Sequence, residues 1–131
     1  MRVKATRSKF KDCPPEIAAF GSPESDTDIS VGTQYEVYAV STYQGVVSFQ
    51  IVSDVEMITW LPAWFFEVCD SSIPDDWICN IFPTTGQLVL GPDFVAASEF
   101  SYSQMVEVNE ESAAKFWRRT KVRPIRSRNE T

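Results

Sequence analysis

The chain has 131 residues, 44% of them hydrophobic and 13% aromatic, which is enough for one domain with a real core and too apolar for a disordered protein. Its formal charge is −6, yet all 12 Lys and Arg lie at the two ends: five in residues 1–11, seven in residues 115–131, and none in residues 12–114, where 17 of the 18 acids stand. That field attracts basic partners and argues against nucleic acid or an anionic membrane as a partner, and no apolar run approaches the roughly 18 residues of a membrane span.

The N-terminus, Met-Arg-Val-Lys-Ala-Thr-Arg, starts with charge and lacks the apolar stretch of a signal peptide. Cys13, Cys69 and Cys79 make an odd number with no C-x-x-C pair, against a disulfide framework or a zinc knuckle. Cys69 and Cys79 sit in apolar, strand-like text and read as small buried hydrophobes. These features point to a reducing cytoplasm.

In chain order, residues 2–6 alternate polar and apolar and predict an opening strand. Asp12-Cys13-Pro14-Pro15-Glu16 starts a short helix, with Pro in the first turn where its missing N–H costs nothing, and Gly21 closes it. Residues 22–28 are a polar loop. From Val31 the text is β: Tyr35, Val37 and Ala39 alternate with Glu36, Tyr38 and Val40. Gln44-Gly45 predicts a turn, residues 45–54 a second strand, and Val55-Glu56 the next tight connection. Residues 57–61 form a third strand ended by Pro62. Three further strand-like runs follow, AWFFEVCD, WICNIF and QLVLGPDFVA, the first two separated by a loop through Asp75 and Asp76. Beyond Ala97 the period becomes helical, with Phe100 or Tyr102, Met105 and Val106 lining one face over residues 98–108. Asn109-Glu110-Glu111-Ser112 then caps a final helix over residues 110–122, burying Ala113, Phe116 and Trp117. The expectation is one α+β domain over residues 1–123, a small, strongly bent antiparallel barrel or sheet with a short N-terminal helix and two C-terminal helices packed on it. Residues 124–131 form a basic tail.

VGTQYEVYAV, GVVSFQIVSD and WLPAWFFEVCD resemble successive strands of a Src-homology-3-like barrel. In that fold a Pro precedes a single 3₁₀ turn and then the last strand, as Pro62, Ala63-Trp64-Phe65 and Phe66-Glu67-Val68 would do. The resemblance covers residues 31–70 and implies fold alone. The acidic and aromatic motifs by which the signalling members bind Pro-rich peptides do not occur, so a peptide groove does not carry over.

No catalytic or cofactor chemistry is evident. There is no histidine, which removes the commonest general base and zinc ligand. No phosphate-binding glycine motif occurs; the five glycines stand singly at turns. The acid pairs Asp26/Asp28, Asp54/Glu56, Asp75/Asp76 and Glu110/Glu111 lie in turns or at a helix cap, where solvated Asp is the ordinary reading. No catalytic residue, metal site or cofactor is therefore expected.

The aromatics carry more. Trp60, Trp64, Phe65, Phe66, Trp77 and Phe82 fall within 23 residues, and consecutive Trp64-Phe65-Phe66 must point in different directions. Most belong to a core. Trp64 or Trp77, if exposed beside Glu67, Asp70, Asp75 and Asp76, would anchor a partner within a ring of charge. Small size, acidity and the absence of catalytic groups resemble the immunity proteins of bacterial toxin–immunity pairs. That likeness implies a cytoplasmic inhibitor of a basic partner such as a toxin nuclease, meeting it through Asp54, Glu56, Trp64, Glu67, Asp70, Asp75, Asp76 and Trp77. The alternative is a structural or assembly module, a homodimer in which one copy's acidic middle meets another's basic end.

Overall fold

The computed structural model describes residues 1–107, 113, 114 and 116–118, and over these the chain is α+β with two antiparallel sheets. The three-stranded sheet has the order β2-β1-β6, formed by β1 (Arg2–Ala5), β2 (Gln34–Glu36) and β6 (Phe66–Asp70). The five-stranded sheet has the order β5-β4-β3-β8-β7, from β3 (Ala39–Tyr43), β4 (Val46–Val52), β5 (Ile58–Pro62), β7 (Ile78–Phe82) and β8 (Gln87–Gly91).

The turn chemistry places these strands as expected. Gln44 and Gly45 both take positive φ (50° and 80°), as the tight hairpin between β3 and β4 requires. Glu56, at φ 63°, turns the chain from β4 into β5. Pro62 is followed by a 3₁₀ turn, Ala63–Phe65, and then by β6, which pairs with β1.

Neither sheet closes on itself, so a single barrel is not what the ladders form. The run from Val31 to Tyr43 breaks in the middle. Val37 N donates to the Met1 carbonyl and Tyr38 N to the Gln50 carbonyl, so consecutive residues pass the chain from one sheet to the other. Tyr35, Val37 and Ala39 are nevertheless all buried, as their alternation predicts.

Two apolar clusters result. One packs Val3, Tyr35, Val37, Phe49, Ile51, Leu61 and Phe65 under Phe10 and Ile17, with the Phe10 and Phe65 rings edge to face at 4.9 Å. Ile17 comes from α1 (Pro15–Ala18), a single turn started by its prolines. The other packs Ala39, Ile58, Phe82 and Val89 against Phe94, Val95, Ala96, Met105 and Phe116. Burial of each large apolar side chain contributes roughly 1.5–3 kcal/mol, so both sheets are held chiefly from these clusters.

The run 87–96 is not one strand. Pro92, which has no N–H to give a ladder, ends β8 and leads into α2 (Asp93–Ala96). α3 (Glu99–Glu107) buries Met105 and half-buries Tyr102, while Phe100 is 73% exposed and Val106 stays about half exposed, a narrower face than the sequence predicted. Of the last predicted helix, residues 113, 114 and 116–118 are helical and Phe116 is buried, its ring 5.0 Å from Tyr38. Its remaining residues and the basic tail 124–131 lie outside the described residues.

Candidate functional site

Residues 66–82 run along one edge strand, through a loop, and into a second edge strand. β6 closes one side of the three-stranded sheet and β7 one side of the five-stranded sheet. Edge strands present unpaired backbone N–H and C=O groups, and proteins usually guard them with Lys, Pro or a cover. These edges have no Lys. Together with the loop between them they expose Val68, Ile73, Ile78 and Ile81, the last at 59%, interleaved with Glu67, Asp70, Asp75 and Asp76. Glu67, Asp75 and Asp76 are exposed and make no ion pair among the described residues.

Edge position also corrects the cysteine reading. Cys69 on β6 and Cys79 on β7 are exposed, not buried. An apolar, strand-like run implies burial only when neighbours cover it, and here each strand has a neighbour on one side alone. Cys13 is half-buried.

The other candidate residues are more tied down. Asp70 accepts from Ser72 N at 2.9 Å, and that N–H holds its carboxyl below the ordinary value, helped by the N-terminal ammonium and Arg2. Arg2 lies opposite Asp70 on one side and Glu36 on the other, with its Nε 3.6 Å from Glu36 Oε2. Lys4 lies opposite Glu67 in the ladder. The basic N-terminal strand thus threads between two acid-bearing strands and offsets part of their charge.

Asp54 belongs to a scaffold. Its Oδ1 accepts from the Tyr35 phenol at 2.7 Å and its Oδ2 from Ser30 Oγ at 2.5 Å, while its backbone N donates to the Asp28 carbonyl. Tyr35 is 7% exposed, and burial raises its pKa above the usual phenol value. The Ser30 N–H opposes the rise and Asp54 adds to it. Glu56 is half-buried in the same turn. Trp64 is half-buried under Arg7, and Trp77 is half-buried against the first cluster. Neither Trp stands out as a free aromatic anchor. The exposed apolar residues of the segment are aliphatic instead.

A second feature went unnoticed in the sequence. A pocket of about 420 Å³ lies between the five-stranded sheet and α3, with Ser41, Trp60, Gln87 and Tyr102 among its lining residues and Phe20 and Tyr43 at its rim. Ser41 Oγ and Tyr102 Oη are 3.1 Å apart. Trp60 Nε1 and Gln87 Nε2 are buried and meet no partner. Gln50, directly across from Trp60 in the ladder and wholly buried, leaves both of its side-chain polar atoms unpaired. Strand alternation puts Gln50, Trp60 and Ser41 on one face of the sheet, together with Val89, the ladder partner of Ser41, and hence Gln87. Each buried orphan costs about 1–3 kcal/mol, so their gathering on one face is a local concession of stability. The signal available in the sequence was Ser41, Ser48, Gln50 and Gln87 at inward positions of otherwise apolar strands.

Among the described residues no group of three or more His, Cys, Asp or Glu could hold a metal ion, and no helix is long and apolar enough to cross a membrane. Comparisons of the chain with protein-family models, with curated proteins and with solved structures found no match.

Proposed function

We propose that the chain is a non-catalytic protein-binding domain that captures a basic partner along residues 66–82. In this reading it is a cytoplasmic immunity-type inhibitor of a basic protein such as a toxin nuclease. One observation carries the proposal: two successive edge strands with exposed aliphatic side chains, acids between them and no cation. A partner strand bearing Lys or Arg would pair with one open edge through its backbone, set its apolar side chains on Val68 of β6 or on Ile78 and Ile81 of β7, and meet the neighbouring acids, Glu67 or Asp75 and Asp76, with its charges. The acids would speed encounter and the apolar contacts would slow release. The succession of Pro62, 3₁₀ turn and β6 supports reading residues 31–70 as a half-open relative of Src-homology-3-like barrels.

The measurement is calorimetry of the chain against a basic nuclease domain, at about 0.05 M and about 0.5 M salt. Affinity should fall steeply with salt and fall again in the double variant D75N/D76N. Binding indifferent to salt would remove the electrostatic part of the proposal. A homodimer that dissociates in salt, seen by light scattering, would favour self-assembly through the acidic middle and basic ends.

A further inference from the structure

We propose that the pocket between the five-stranded sheet and α3 binds a small, uncharged aromatic compound bearing a carbonyl acceptor. The site is independent of the acidic edge segment, so the two readings stand or fall separately.

The argument starts from charge. In a chain whose middle carries 17 acids, the described residues that line the pocket, among them Phe20, Trp60, Tyr43, Tyr102 and Gln87, include no acid or base. A charged ligand would lose its hydration there and gain no counter-charge, which selects for a neutral one. The size, about 420 Å³, falls within the range of small-molecule sites, which are mostly apolar with a few placed polar groups.

The polar groups then choose the chemistry. Trp60 Nε1 can only donate, and Gln87 Nε2 can only donate, and neither meets an acceptor. Gln87 is 6% exposed, so bulk water does not serve in place of one. Between Ser41 Oγ and Tyr102 Oη one hydroxyl hydrogen joins the pair, leaving the other free to donate. Trp60 and Gln87 line the cavity while these two nitrogens lie shielded just behind its surface, so a small turn of either side chain brings a surplus donor to the cavity, and a carbonyl oxygen, with two lone pairs, is the acceptor that complements it. Aromatic rings of Phe20, Tyr43, Trp60 and Tyr102 around the cavity favour a flat body over a branched aliphatic one.

The test uses the full chain labelled with ¹⁵N, its Trp60 indole signal assigned with W60F, and benzamide as probe. Toluene, benzoate and methyl glucoside serve as comparators. Benzamide should shift the Trp60 indole and Gln87 amide signals along a saturating curve, with toluene and benzoate binding about tenfold more weakly. Q87L should weaken benzamide by a similar factor while its spectrum stays dispersed. Should Q87L fail to fold, the shift pattern of the unmodified chain still decides. Silence at both nitrogens overturns the site. Toluene binding as well as benzamide reduces the pocket to an apolar packing gap, and tighter binding of benzoate or methyl glucoside overturns the ligand class.

Discussion

Arg7 sits over the Trp64 ring: its guanidinium carbon is 4.3 Å from the ring centroid, and its Nη1 donates to the Trp64 carbonyl at 2.9 Å. Thr6 and Arg7 also donate backbone N–H groups to the Phe65 carbonyl, so the end of β1 is clamped onto the 3₁₀ turn. A cation from the N-terminal end therefore caps one of the aromatics that a basic partner would otherwise meet. R7A should lower stability by about 1 kcal/mol in chemical denaturation, through loss of the cation–π contact and the charged hydrogen bond. It should also increase acrylamide quenching of Trp64. An unchanged midpoint together with unchanged quenching would mean that the stacking does no structural work.

The Tyr35–Asp54 hydrogen bond joins the loop before β2 to the turn after β4, and it makes stability depend on pH in the alkaline range. Burial, partly countered by the Ser30 N–H and reinforced by Asp54, raises the Tyr35 phenol above its ordinary 10.0. A group whose folded pKa is raised gives its full contribution below the unfolded value and loses it as pH climbs through the folded one. Stability should therefore hold up to about pH 10 and fall beyond it, as the phenolate forms beside the Asp54 carboxylate. Y35F should cost about 1–2 kcal/mol at neutral pH and should flatten that alkaline fall. Parallel profiles for the two proteins above pH 10 would show that another group governs the decline.

Gly91 is required by close approach. A Cβ built there would lie 2.8 Å from Ala39 Cβ and 3.4 Å from Ala39 Cα, and Ala39 is itself wholly buried at the start of β3. The obstacle is a backbone-anchored methyl, not the end of a flexible side chain, so relief needs β8 to move away from β3. G91A should destabilise by about 1–3 kcal/mol, read from urea midpoints. A39G/G91A should recover part of the loss, and no recovery would place the strain elsewhere.

Local chemistry made much of this legible in advance. Gln44-Gly45 announced a hairpin because the signal resides in two adjacent residues, while the 3₁₀ turn at Ala63–Phe65 after Pro62 was implied by the resemblance to Src-homology-3-like barrels. What stayed hidden depends on strand order. The alternation of Tyr35, Val37 and Ala39 continues unbroken across the point where the chain changes sheet, so nothing local marks the split at Val37 and Tyr38. Cys69 and Cys79 have the same apolar neighbours whether their strands are central or at an edge. The ties on Asp54 join residues 24 apart in the case of Ser30, a relation that no spacing rule shows. The pocket is hidden for the same reason, since Ser41, Trp60, Gln87 and Tyr102 come from four separate elements.

The edge strands make a last expectation that bears on partner capture. Cys69 and Cys79 are exposed on β6 and β7, while Cys13 is half-buried, so accessibility alone should divide the three thiols. In the native chain a small maleimide should modify Cys69 and Cys79 rapidly and Cys13 slowly, with mass spectrometry locating the adducts after digestion. Unfolding in guanidinium should equalise the three rates, because the difference comes from folding. Binding of a basic partner along residues 66–82 would cover the strands that carry the two fast thiols, so adding the partner should slow modification of Cys69, Cys79 or both and leave Cys13 unchanged. D75N/D76N should restore the unprotected rate at the same partner concentration, since these exposed carboxylates draw the partner in without supporting the fold. Full binding with both cysteines still reacting at the free rate would move the interface away from these two strands.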